Sequence, residues 1–86
     1  MSTNKSEKIC VIGLGYIGLP TASLLGTKGF KVTGVDTSKY IVETINNGGV
    51  HIVEPELDVM VKSAINSGNM NAVQIPVEAD IFIIAV

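Results

Sequence analysis

Gly13, Gly15 and Gly18 stand at G-x-G-x-x-G spacing in Gly13-Leu14-Gly15-Tyr16-Ile17-Gly18, and one acid, Asp36, follows Gly18 by 18 residues. Each residue type suits a distinct task at that spacing. Gly13 lets the chain turn tightly. Gly15 has no Cβ, so a pyrophosphate can approach the backbone. Gly18 lets a following helix pack closely on a sheet. A helix opening at the end of such a loop offers phosphate oxygens free N–H groups and a partial positive charge. Tyr16 and Ile17 belong to the same loop and count with the glycines as cofactor-binding candidates. A carboxylate at the end of the next strand accepts hydrogen bonds from adenosine ribose hydroxyls and repels a 2′-phosphate. Asp36 therefore points to NAD rather than NADP.

The pattern has plainer explanations. Nine glycines in 86 residues make a chance match easy, and a glycine-rich turn can serve no ligand at all. Asp36 can be nothing more than a cap for the next helix. Context separates the readings, since the loop must follow a buried strand, open a helix and lie inside a βαβ unit.

The surrounding sequence supplies that context. Residues 8–13 form a short apolar run ending in glycine, the pattern of a buried parallel strand. Residues 16–28 read as a helix with Gly18, Ala22 and Leu25 on one face, Pro20 in its first turn and Gly29 as its stop. Residues 31–36 read as the second strand, ending on Asp36. Thr37 or Ser38 can cap a second helix whose buried stripe is Ile41, Val42 and Ile45, stopped by Asn47-Gly48-Gly49. Pro55 is expected to open a third helix, with Glu56 and Asp58 in its first turn and Leu57, Met60, Val61 and Ala64 along its apolar face. Residues 71–75 and 81–86 complete the set as third and fourth strands.

This order predicts an α/β fold, a partial Rossmann (doubly wound) parallel sheet with strand order 3-2-1-4. One connection is tight. Crossing three strand spacings covers roughly 14 Å, and the five residues from Pro76 to Asp80 reach about 17 Å when extended. The third strand should be short and its crossover should lack a full helix.

Other reactive side chains carry less. Cys10 falls mid-strand, where a buried, inert thiol is expected. As the single cysteine it excludes an internal disulfide and a multi-cysteine zinc site. His51 and Glu54 lie in a connection and read as surface or capping groups. Lys39 reads as a solvated lysine. No catalytic constellation and no metal site emerges from the residues.

Bulk properties bound the rest. The net charge is −2 with no basic patch, which removes the electrostatic reason to bind nucleic acid or a membrane surface. No apolar stretch reaches the roughly 18 residues that span a bilayer. Residues 1–8 are polar and mixed in charge, without the apolar core of a signal peptide, so a cytoplasmic location is expected. Residues 1–86 suffice for one small domain, whereas a whole dinucleotide-binding domain needs roughly 150 residues. The last six residues, Ile81-Phe82-Ile83-Ile84-Ala85-Val86, are apolar. The expectation is the N-terminal part of an NAD-binding domain from a longer polypeptide.

The stretch Val11-Ile12-Gly13-Leu14-Gly15-Tyr16-Ile17-Gly18-Leu19-Pro20 resembles the opening of the UDP-glucose/GDP-mannose dehydrogenase family, with Tyr16 and Leu19-Pro20 as its specific part. Val35-Asp36 and Ile45-Asn46-Asn47-Gly48 continue the likeness. His51-Ile52-Val53-Glu54-Pro55-Glu56-Leu57 and the short crossover Pro76-Val77-Glu78-Ala79-Asp80 resemble the branch that acts on UDP-N-acetyl-D-mannosamine. UDP-glucose enzymes tend to carry a different pattern before their Glu-Pro. The resemblance covers residues 8–86. It implies oxidation of C6 of a UDP-sugar from alcohol to carboxylate, with two NAD reduced and a thioester formed on a cysteine. It also implies a homodimer for the full-length enzyme. Cys10 does not match that cysteine, so residues 1–86 alone are expected to be inactive. A sibling acting on UDP-glucose or another UDP- or GDP-sugar, and a non-enzymatic nucleotide-binding module, are the competing readings.

Overall fold

The computed structural model describes residues 6–86, and the first five residues of the polar N-terminal stretch lie outside them. The elements run β1 (Lys8–Ile12), α1 (Gly18–Thr27), β2 (Lys31–Val35), α2 (Lys39–Asn46), α3 (Leu57–Asn66), β3 (Met70–Val73) and β4 (Ile81–Ile84). All strand pairs are parallel and the sheet order is β3-β2-β1-β4. The expected partial doubly wound sheet is the observed one. β3 has four residues, and 74–80 reach β4 without a helix, as the short span requires.

Period-two alternation sorts the strand side chains. Ile9 and Val11 of β1 stand with Val32 of β2 and with Met70 and Ala72 of β3 on one face. There they meet Leu19 and Ala22 of α1, Ile45 of α2, and Leu57, Val61 and Ala64 of α3. Burying each such large apolar side chain contributes about 1.5–3 kcal/mol. The alternate residues Cys10, Thr33 and Phe82 point to the other face, where Phe82 is half exposed. α1 approaches α3 closely because a Cβ on Gly26 would lie 2.9 Å from the Ala64 Cβ. Gly26 was not among the small residues singled out in the sequence.

Two helix starts differ from expectation. α1 begins at Gly18 rather than at residue 16. Gly15, Tyr16 and Ile17 form the turn before it, although the Leu19 N–H already donates to the Gly15 carbonyl at 3.1 Å. α3 opens at Leu57 rather than at Pro55. A turn comes first, with the Leu57 N–H donating to the Glu54 carbonyl at 3.2 Å. Glu56 becomes the N-cap in left-handed conformation, φ 65°, and Asp58 alone supplies the first-turn acid. α2 starts as expected, Ser38 capping it by accepting from the Ile41 N–H at 3.3 Å.

Candidate functional site

The glycine loop leaves the C-terminal end of β1 and is fixed at both flanks. The Gly13 N–H donates to the Val35 carbonyl and the Ala85 N–H to the Ile12 carbonyl, both at 2.8 Å. Gly13 has φ +97°, and a Cβ there would sit 2.6 Å from the Ala85 carbonyl oxygen. Both the conformation and the space call for glycine. Leu14, fully buried, turns its side chain onto β2, where a Cβ on Gly34 would lie 2.7 Å from the Leu14 Cδ2. The loop is thus pinned to the sheet by an apolar plug seated over a strand glycine.

Gly18 and Gly15 differ in what they permit. A Cβ on Gly18 would fall inside the Gly13 carbonyl and lie 3.3 Å from the Ala85 Cβ. Gly18 therefore allows close packing, as expected, but chiefly against the turn of its own loop. A Cβ on Gly15 would meet nothing within 4 Å. No protein atom requires glycine there, which leaves room for an outside group. Among the described residues, no acceptor is within hydrogen-bonding reach of the N–H groups of Gly15, Tyr16 and Ile17. Tyr16 and Ile17 are 68% and 72% exposed, and they precede the start of α1, the positive end of its dipole.

Asp36 faces this loop. Its Oδ2 accepts from the Leu14 N–H at 3.2 Å, and its Oδ1 accepts from the Ser38 N–H at 3.0 Å. Its own N–H donates to the Val73 carbonyl at 3.1 Å. The cap of α2 is Ser38, so Asp36 is not merely a helix cap. Each carboxylate oxygen has capacity for a further donor. Gly13–Ile17, Asp36, Ala85 and Val86 line one cleft of about 440 Å³. It gathers all the sequence-derived site residues except Gly18, which lies under the loop.

The remaining candidates stay apart. Cys10 is buried in β1. The Nδ1 of half-buried His51 is enclosed with no partner among the described residues, and Glu54 is exposed. No group of three metal-ligating side chains occurs among the described residues. Lys39 is exposed and lies 3.9 Å from the Glu43 carboxylate. A larger hollow of about 790 Å³ opens beside Lys8, Lys31, Asn69 and Asn71. It is at the N-terminal ends of the strands, whereas ligands of open α/β sheets bind beyond the carboxyl ends. Three contributions escaped the sequence: the Leu14–Gly34 plug, the Ala85 carbonyl against Gly13, and Gln74, whose Nε2 donates to the Thr37 carbonyl at 3.0 Å. The first had a faint signal in an otherwise odd glycine mid-strand; the others had none.

The model of the UDP-glucose/GDP-mannose dehydrogenase family NAD-binding domain matches residues 7–86. A UDP-N-acetyl-D-mannosamine dehydrogenase from Campylobacter jejuni is 54% identical over 83 residues, 96% of this chain and 20% of that protein. An NDP-N-acetyl-D-galactosaminuronic acid dehydrogenase from Ralstonia nicotianae is 51% identical over 78 residues, 91% of this chain and 18% of that protein. The native structure of the UDP-N-acetyl-mannosamine dehydrogenase Cap5O from Staphylococcus aureus superposes with TM-score 0.88 at 39% identity, covering 92% of this chain and 19% of that one. The chain thus spans about a fifth of the length of the curated relatives it matches.

Proposed function

The chain belongs to the UDP-glucose/GDP-mannose dehydrogenase family, and from that premise we propose that residues 1–86 are the N-terminal part of the NAD-binding domain of a nucleotide-sugar 6-dehydrogenase. Its substrate is UDP-N-acetyl-D-mannosamine, oxidised to the uronic acid with two NAD. One observation carries the cofactor reading: the unpaired N–H groups of Gly15, Tyr16 and Ile17 and the Asp36 carboxylate line one cleft beyond the strand ends.

Bound there, NAD supplies a hydride acceptor. Gly13, Gly15, Tyr16, Ile17 and Gly18 form the pyrophosphate cradle, Gly15 by leaving space and the loop N–H groups by donating to phosphate oxygens. Asp36 takes the ribose hydroxyls. Its negative charge disfavours a 2′-phosphate, since like charges brought close in a partly buried site repel strongly. Cys10, buried mid-strand on β1, takes no part in the chemistry. The proposal extends to a cytoplasmic homodimer that uses neither nucleic acid nor membrane. No helix among the described residues is long and apolar enough to cross a bilayer.

The Ralstonia relative favours a second substrate, an NDP-N-acetylgalactosamine-type sugar. The test uses the whole polypeptide that carries this chain. NAD binding is measured by calorimetry, and NADH formation is followed with UDP-N-acetyl-D-mannosamine, UDP-N-acetyl-D-galactosamine, UDP-glucose and GDP-mannose. The expected result is two NADH per UDP-N-acetyl-D-mannosamine, with the other sugars slower. Preference for another sugar overturns the substrate. NAD binding without turnover on any sugar leaves a binding module in place of an enzyme.

A further inference from the structure

The backbone ladder between β2 and β3 ends where the Asp36 N–H meets the Val73 carbonyl at 3.1 Å. One residue further on, a side chain continues it. Gln74 donates from Nε2 to the Thr37 carbonyl at 3.0 Å, across 37 positions of sequence. Thr37 lies between Asp36 and Ser38, and the Ser38 N–H in turn holds the Asp36 carboxylate at 3.0 Å. The turn over 36–38 is therefore tied at two successive residues, to Val73 at the end of β3 through backbone and to Gln74 just beyond it through the side-chain amide.

Both Gln74 and Thr37 are exposed. Losing their hydrogen bond would hand the Thr37 carbonyl to water and leave no buried group unpaired, so this contact does little for the core. What it does fix is the orientation of the turn that carries Asp36. A binding group acts through its placement, and a supporting contact that locks its backbone sets that placement. The donor is also neutral. A lysine at the same position would add a cation beside Asp36 and favour an extra phosphate, whereas an amide fixes the turn without altering the local charge.

We propose that Gln74 is a positioning residue for cofactor recognition: by tethering Thr37 it holds the Asp36 carboxylate where the adenosine ribose hydroxyls meet it. The inference rests on the reading of Asp36 as the ribose-binding group. Gln74→Met keeps the length of the side chain and removes the donor. In the whole polypeptide the expected result is a KM for NAD raised about two- to tenfold, the effect of one hydrogen bond. The kcat, the KM for the UDP-sugar and the melting temperature should stay near the parent values. An unchanged KM for NAD, with the parent protein binding NAD normally, overturns this inference alone. Parallel losses in melting temperature, kcat and both KM values show a general structural role and overturn it too. Failure of the parent protein to bind NAD overturns the cofactor reading, and this inference with it.

Discussion

The backbone N–H of Leu14 donates to Oδ2 of Asp36 at 3.2 Å, joining the middle of the glycine loop to the end of the neighbouring strand. The glycine loop and the turn that carries Asp36 are thus one hydrogen-bonded unit. The same bond takes up the Leu14 N–H, whereas those of Gly15, Tyr16 and Ile17 have no partner among the described residues. Anything that changes the carboxylate therefore acts on both the Asp36 turn and the glycine loop.

Asp36→Ala tests that coupling in the whole polypeptide. Each charge-assisted hydrogen bond lost to the ribose costs about 1.5–3 kcal/mol, and the repulsion of a 2′-phosphate disappears with the charge. NAD affinity should fall and the preference for NAD over NADP should shrink, as read by titrating both cofactors. Equal affinities before and after the substitution would reduce Asp36 to a strut for Leu14 and Ser38.

Much of this unit was legible from residue order. Strand and helix identity followed from apolar periodicity, and the order 3-2-1-4 from the βαβ pattern of a doubly wound sheet. Gly13, Gly18 and Asp36 announced themselves by spacing. What stayed hidden depends on distance in three dimensions. The seat of Leu14 on Gly34 pairs a loop residue with a residue inside β2, and the Gln74 tether pairs residues 37 positions apart. The start of α3 was misplaced because Pro55 satisfies the usual rule for a first helical residue. Here it sits instead in a turn closed by Leu57 onto Glu54.

Two glycine substitutions should separate ligand space from folding space. Gly15→Ala places its Cβ where no protein atom lies within 4 Å. The melting temperature should hold, while NAD affinity falls about tenfold or more, ~1.4 kcal/mol, because the methyl occupies the pyrophosphate's approach. Gly18→Ala drives its Cβ into the Gly13 carbonyl. Backbone cannot swing away as a flexible side chain can, so the loss of stability should reach or exceed the about 1–3 kcal/mol of ordinary overpacking. Thermal unfolding with and without NAD distinguishes them. A Gly15→Ala protein that binds NAD at parental strength would contradict the cradle.

The Leu14 plug offers a double-mutant cycle. Gly34→Ala puts a methyl 2.7 Å from the Leu14 Cδ2 and 2.9 Å from its Cδ1, which should cost about 1–3 kcal/mol. Leu14→Ala alone removes a fully buried side chain and should cost about 2–5 kcal/mol. In the double variant the added methyl enters the space that leucine vacates, so the combined loss should fall below the sum by about 0.5–3 kcal/mol. Denaturant unfolding of the four proteins measures this. Strict additivity would show that the two side chains do not compete for one site.

Asn46 should prove to be a guard for the open edge of the sheet. β3 pairs only with β2, and an unpaired strand edge invites fraying and association with other chains. Asn46 covers it as a neighbouring strand would, its Nδ2 donating to the Ala72 carbonyl at 2.9 Å while its Oδ1 accepts from the Ala72 N–H at 2.8 Å. Asn46→Ala strips the partners from two partly buried backbone groups, the Ala72 N–H and the Ala72 carbonyl, at about 1–3 kcal/mol for each group left unsatisfied. Asn46→Asp keeps the acceptor for the N–H but loses the donor, so its cost should be intermediate. Hydrogen exchange reads the effect locally: the Ala72 amide should exchange faster in Asn46→Ala and stay protected in Asn46→Asp. Because Val73, next on the strand, and Gln74, just beyond its end, hold the Asp36 turn, NAD affinity should fall along with edge protection in Asn46→Ala. An Ala72 amide equally protected in all three proteins would show that the edge is held by something other than this side chain.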